Sequence, residues 1–210
     1  MSLEICDYLG HGNCGIVFKA RYYHDDSSQD VALKLIYGTE SPDFLEKIAK
    51  KEYENLSSIS SIKDIKGVPR PIGFIQGFKG KLENLYLEKT GLDLSDIKEK
   101  EGHSLNYGGA FMRQYLPDIK QYDYEKGSMS ARFFDELEEI IYKVHSAGYV
   151  MPQDFTHNVL ILGKSPCIVD WEDVENVSKN PIDYIMKRQK IDFELLNHMK
   201  QRSDANSGKL

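Results

Sequence analysis

Leu9-Gly10-His11-Gly12-Asn13-Cys14-Gly15-Ile16-Val17-Phe18-Lys19-Ala20, followed after a polar link by Val31-Ala32-Leu33-Lys34, is the stretch that decides the fold. Gly10, Gly12 and Gly15 stand in a G-x-G-x-x-G frame, and Ile16 and Phe18 alternate with Val17 and Lys19 directly after it. That alternation has the two-residue period of a strand, so the stretch predicts strand, glycine turn, strand. Glycine has no Cβ, so backbone N–H groups in such a turn can approach anionic oxygens and close over phosphates. The same glycine frame also occurs where a strand feeds a helix, but here an apolar strand carrying Lys34 comes next. The plainer alternative is a glycine hairpin beside a surface lysine.

Three strands are expected around this turn, near Leu3–Leu9, Ile16–Tyr23 and Asp30–Tyr37, with His24–Gln29 as a polar hairpin loop. Thr39-Glu40-Ser41-Pro42-Asp43 has the chemistry of a helix start, and a helix is expected from about Asp43 to Ser60. Its apolar stripe is Leu45, Ile48, Ala49, Leu56 and Ile59, and Glu52 lies on that stripe. An acid on a buried face needs a cation, and Lys34 is the obvious one. Glu46 and Glu54 are placed less well, and the plain alternative is a solvated Glu52 at the helix edge.

Further along, Gly67–Pro71 reads as a turn before strands near Ile72–Gln76 and Leu82–Leu87. The link Leu85–Gly91 reads as a hinge between lobes, with backbone groups at Glu88–Thr90 open to an adenine edge. A helix is expected to start within 93–100, and 101–128 reads as an insert of uncertain structure. Helical spacing of Phe134, Leu137, Ile141 and Val144 predicts a helix from Ser130 to Ser146, ended by Gly148. A polar loop, Met151–Asn158, then precedes an apolar run Val159–Leu162, a turn, and Ile168-Val169-Asp170-Trp171-Glu172. The tail is expected to be helical over about Asn180–Arg202 and frayed from Ser203 to Leu210.

At 210 residues the chain suits one domain or two small lobes, and 40% apolar with 29% charged residues is ordinary globular composition. The net charge of −6 and the scattered basic residues argue against general nucleic-acid binding. No apolar run reaches the roughly 20 residues a membrane span needs, and Met1-Ser2-Leu3-Glu4-Ile5 lacks signal-peptide character. Cys6, Cys14 and Cys167 are an odd number without zinc-site spacing, so a reducing, cytoplasmic setting is expected.

Taken in order, the glycine frame, Val31–Lys34, Glu52, the Leu85–Gly91 link, His145-Ser146-Ala147-Gly148, Asp154…Asn158 and Asp170 resemble the protein-kinase-like superfamily over about residues 5–175. The resemblance implies an α+β, two-lobed fold. Residues 1–88 would form a five-stranded antiparallel N-lobe with one helix, and 89–210 a truncated, mostly helical C-lobe. It implies a nucleotide site lined by Leu9, Gly10, Gly12, Gly15, Val17, Ala32 and Glu88, with Lys34 gripping the α- and β-phosphates and pairing with Glu52. It likewise implies Asp154 as the group that orients and deprotonates an acceptor hydroxyl, and Asn158 and Asp170 as Mg²⁺ ligands. The cofactors would be ATP and Mg²⁺, and the acceptor a protein Ser/Thr or a small-molecule hydroxyl. The chemistry agrees: a triphosphate in a cleft needs a cation clamp, backbone donors and oxygen ligands for the metal.

Asp154 and Asn158 are one residue closer than the family's usual Asp-x-x-x-x-Asn, and Pro152-Gln153 precede Asp154. Asp170-Trp171-Glu172 resembles the aminoglycoside and choline phosphotransferase form of the metal motif. The short stretch after it is similar to small atypical kinases of the RIO type and to bacterial lipopolysaccharide-core kinases. An alternative expectation is a pseudokinase that holds a nucleotide or a protein partner without turnover, because about 1 Å of misplacement can cost on the order of 100-fold in rate.

Overall fold

The computed structural model describes residues 2–12, 15–82, 105–122, 129–153 and 155–207, a mixed α+β chain. It divides into two compact units, Met1–Glu54 with Arg70–Tyr115, and Asn55–Pro69 with Leu116–Leu210. The division is not a single cut after Glu88. One segment of the chain, 55–69, leaves the first unit and 70–115 returns to it.

The first unit is a five-stranded antiparallel sheet: β1 (Ser2–His11), β2 (Gly15–His24), β3 (Ser27–Gly38), β4 (Pro71–Lys81) and β5 (Asn106–Gln114). The strand order is β1-β2-β3-β5-β4, so β5 returns between β3 and β4. The expected loop at His24–Gln29 is much tighter. His24 pairs with Ser27, and the reversal is made by Asp25 and Asp26, with Asp25 at φ 50°. Asp tolerates that left-handed conformation, which lets both strands run longer than their apolar residues suggest.

The fifth strand lies inside the stretch 101–128 read as an insert of uncertain structure. Gly108 and Gly109 hid it, and packing explains them. A Cβ on Gly109 (φ +69°) would come 2.8 Å from the Ala49 Cβ, and one on Gly108 would come 2.8 Å from the Leu45 Cβ. Both of those partners belong to helix α1 (Pro42–Ser60), so the glycines let the helix press on the strand. The segment expected as a strand near Leu82–Leu87 lies outside the described residues beyond Leu82, whose N–H donates to the Leu105 carbonyl at 2.9 Å. The hinge expected at Leu85–Gly91, Glu88 included, also lies outside them. In chain order it precedes β5, whereas the chain passes to the second unit at Tyr115/Leu116.

Strand pleat sorts the sheet's two faces. One carries Ile16, Phe18, Ala20, Val31, Leu33, Leu35, Ala110 and Met112 in a continuous apolar core with Leu82 and Leu105. On the other face Ile36 and Phe74 pack with Leu45, Ile48 and Ala49 of α1, and Tyr53 lies against Phe74 and Phe111. The helix start is tied to β4: the Gly77 N–H donates to the Glu46 carboxylate at 2.5 Å, and Lys79 reaches both Asp43 (2.5 Å) and Glu46 (3.4 Å). The Gly77 N–H first, then Lys79, hold the Glu46 carboxyl below the usual carboxylate range.

The second unit holds α2 (Ala131–Ser146), α3 (Ile182–Ser207), a three-stranded antiparallel sheet and a two-stranded pair. The three strands are β6 (Ile119–Gln121), β8 (Val159–Leu162) and β9 (Ser165–Ile168), and the pair is β7 (Tyr149–Val150) with β10 (Glu175–Asn176). Ser130 caps α2 by accepting from the Phe133 N–H, and Gly148 (φ +83°) turns the chain beyond its end. The tail is helical well past Arg202. Ser203 is fully buried, and its hydroxyl accepts the Met129 N–H at 2.8 Å, so a polar-looking end is held by a specific bond. No helix among the described residues is long and apolar enough to cross a membrane.

Candidate functional site

The first unit brings the glycine turn and Lys34 together. Register places Val17 opposite Lys34 and Gly15 opposite Ile36, with Ile16 opposite Leu35 between them, so the turn ends two pairs beyond the lysine. The Gly12 N–H donates to the Gly15 carbonyl at 2.9 Å, and the Tyr37 hydroxyl donates to the Gly12 carbonyl at 2.9 Å. Before the turn, the Tyr8 hydroxyl is hydrogen-bonded to the His11 Nδ1. Gly15 has no space for a side chain: a Cβ there would lie 2.7 Å from the Lys34 Cε. The backbone of the turn therefore lies directly against the lysine stem.

Lys34 and Glu52 are 6% and 1% exposed, and the Lys34 Nζ donates to the Glu52 Oε1 at 2.7 Å. The sheet supplies the lysine and the apolar stripe of α1 supplies the acid, as the spacing Ile48–Glu52–Leu56 requires. Neither Glu46 nor Glu54 takes that place. Ala32, two residues before Lys34 on the same face, is buried, and Val17 is partly exposed beside it. Leu9 is exposed, and Gly10 has φ +154°, a backbone conformation that residues with a Cβ rarely adopt. Cys14 lies outside the described residues.

The second unit carries the other expected residues. Asp154 lies outside the described residues. Asn158 ends a single 3-10 turn, Phe155–Asn158, and its carbonyl accepts the Val169 N–H at 3.1 Å, so the backbones on either side of these two loops are joined. Asp170 follows β9, and its Oδ1 accepts the Glu172 N–H at 3.3 Å. Trp171 is fully buried with its indole N–H donating to the Ile168 carbonyl at 3.0 Å, which anchors the loop next to Asp170. Asn158 and Asp170 are both partly exposed oxygen donors, the ligand type that Mg²⁺ takes.

Four residues escaped sequence reasoning. The Asn55 side chain donates to the Trp171 and Glu172 carbonyls at 3.0 and 2.9 Å, bracing the Asp170 loop. Asp192, 1% exposed on α3, accepts the Met151 N–H at 3.0 Å and contacts the His145 Nε2 at 2.7 Å, tying the end of α2 to the loop that leads to Asn158. Tyr37 pins the glycine turn. The fourth is Arg113, buried on β5 opposite Ala32. Asn55, Asp192 and Tyr37 each bond a partner distant in sequence, which no short-range pattern can show. Only Asp192 gave a signal, as an acid among the apolar positions of a helix.

No family model matches the chain, and no curated protein matches it.

Proposed function

We propose that the chain is a phosphotransferase of the protein-kinase-like type, which moves the γ-phosphate of a magnesium-bound nucleoside triphosphate to a hydroxyl. The observation that carries this reading is the buried Lys34–Glu52 pair, 2.7 Å apart, with Gly15 at the end of the glycine turn so close that a Cβ there would lie 2.7 Å from the Lys34 Cε. A lysine on the third strand paired with a glutamate on the next helix, beneath a glycine-rich turn, is the phosphate clamp of protein kinases. A strand order that returns β5 between β3 and β4 keeps the lysine on an interior strand. Stability alone is a poor reason for such a pair, since apolar replacements of a buried ion pair are often neutral or better.

In this reading Lys34 holds the α- and β-phosphates, Glu52 holds the ammonium in place, and the turn's N–H groups cover the phosphate chain. Asp154 takes the proton of the acceptor hydroxyl as its oxygen attacks the γ-phosphorus and the bond to the β-phosphate oxygen breaks. Asn158 and Asp170 would hold magnesium, which neutralises phosphate charge when bound. The acceptor is a hydroxyl of a protein Ser/Thr or of a small molecule.

The four-residue step from Asp154 to Asn158 favours a second reading, a scaffold that binds nucleotide without turnover. Label transfer from γ-labelled ATP with Mg²⁺, using wild type, Lys34→Met and Asp154→Ala, separates the two. Transfer by wild type and its loss in both variants supports the enzyme. Nucleotide-dependent thermal stabilisation without transfer supports the scaffold, and neither response removes both readings.

A further inference from the structure

The glycine turn is tied to the face of the sheet opposite Lys34. Lys34 and Tyr37 are three positions apart on β3, so pleat sends their side chains to opposite sides. Tyr37 belongs to the apolar core with Leu33 and Leu35 and is 5% exposed. Its hydroxyl donates to the Gly12 carbonyl at 2.9 Å. Tyr8, packed against the same core and edge-on to Phe18, is hydrogen-bonded to the His11 Nδ1. Two consecutive residues of the turn are thus bonded to tyrosines rooted away from the lysine. Within the turn the Gly12 N–H donates to the Gly15 carbonyl at 2.9 Å, so the Gly12 and Gly15 carbonyls both accept a hydrogen bond from the protein itself.

That engagement matters to an anion. The N–H groups of a turn attract phosphate oxygens, whereas its carbonyl oxygens carry the opposite partial charge and repel them. Glycine restrains its backbone less than any other residue, so a peptide in a Gly-x-Gly frame can turn either edge to a ligand unless something holds it. At Gly12 the hold is the Tyr37 hydroxyl, a neutral donor carried on a buried ring. We propose that Tyr37 is a positioning residue for the phosphates: it keeps the Gly12 carbonyl on a donor rooted in the core and so keeps that oxygen from the phosphate chain. This rests on the nucleotide reading above and adds the group that orients the turn. Tyr37 acts through the Gly12 peptide rather than by touching the ligand. Its effect therefore depends on the charge of the phosphate chain and vanishes for a nucleoside.

The test measures binding of a non-hydrolysable ATP analogue with Mg²⁺, of ADP with Mg²⁺, and of adenosine to the full chain, as wild type and as Tyr37→Phe. That substitution keeps the ring and removes only the hydroxyl. It is expected to weaken the ATP analogue and ADP by about 3- to 10-fold, the net value of one hydrogen bond, and to leave adenosine unchanged. A role in stability alone would lower the melting temperature while moving no affinity, or would weaken all three ligands alike. Either result overturns the proposal and leaves the nucleotide site standing. If Tyr37→Phe does not fold, a crystal structure of the wild type with the Mg²⁺ ATP analogue decides. An intact Tyr37–Gly12 bond supports the proposal, and a Gly12 carbonyl turned to the phosphates or the metal overturns it. Absence of binding by all three ligands to wild type overturns the nucleotide reading, and this inference with it.

Discussion

Replacing both members of the Lys34–Glu52 pair is expected to harm the fold less than replacing either one. At 2.7 Å and an effective dielectric near 20, their attraction is about 6 kcal/mol. Taking each ion out of water costs several kcal/mol, so the net value of the pair is near zero. Lys34→Met or Glu52→Leu alone leaves a charge on a buried face without the partner it had, and each is expected to cost about 3–5 kcal/mol. The double variant removes both charges with side chains of similar bulk, and it should lie within about 2 kcal/mol of wild type.

The two units need separate probes. Trp171 is the only tryptophan and belongs to the second unit, so its fluorescence reports there. Amide hydrogen exchange at Val31–Ile36 reads the strand that carries Lys34. Each single variant should lower protection of those amides by at least about 100-fold, and the double variant should restore most of it. The folded double variant should still fail to bind magnesium nucleotide, which separates the pair's chemical use from its structural one. Additive losses in the double variant, or a single variant that costs less than about 1 kcal/mol, would refute the reasoning.

Three further outcomes follow from particular contacts. Gly15→Ala drives a methyl to within 2.7 Å of the Lys34 Cε, so it should cost about 1–3 kcal/mol and weaken nucleotide binding; unchanged melting and unchanged affinity would contradict the close approach. Asp192→Ala strips the Met151 N–H and His145 of their shared acceptor and should lower the second unit's stability by about 2–4 kcal/mol, read by urea titration of Trp171 fluorescence. Glu46, whose carboxyl is held low by the Gly77 N–H, stabilises the folded state above the ordinary carboxylate range; that contribution fades as pH falls through its lowered folded value. The stability gap between wild type and Glu46→Gln should therefore be present at neutral pH and close in acid, and a gap that widens on acidification would reverse the sign.

The elements legible in the sequence were those whose own residues carry a period. Ile16/Phe18/Ala20 and Val31/Leu33/Leu35 alternate because one sheet face is fully buried, and α1 and α2 show helical spacing because each buries a stripe. Strand β5 failed that test for a tertiary reason. Gly108 and Gly109 are small because α1 occupies the space above them, and the helix residues that press on them, Leu45 and Ala49, lie far earlier in the chain. The same holds for the end of α3, where Ser203 looks like a fraying residue until Met129 is placed beside it.

The candidate site divides along the same line. Lys34 and Glu52 could be matched from sequence because a buried acid demands a cation, and each sits in an element whose face was already known. Arg113 could not, since its meaning depends on a strand that had no readable pattern. Once β5 is in register, no new assumption is needed to put Arg113 with Lys34. Lys34 opposes Phe111, and pleat returns residue 113 to the same side. A shift of that pairing by one residue would turn Arg113 to the face of Leu33 and Met112, an apolar core with no use for a guanidinium. The register that buries Met112 among hydrocarbon is therefore the one that commits Arg113 to the lysine's side of the sheet.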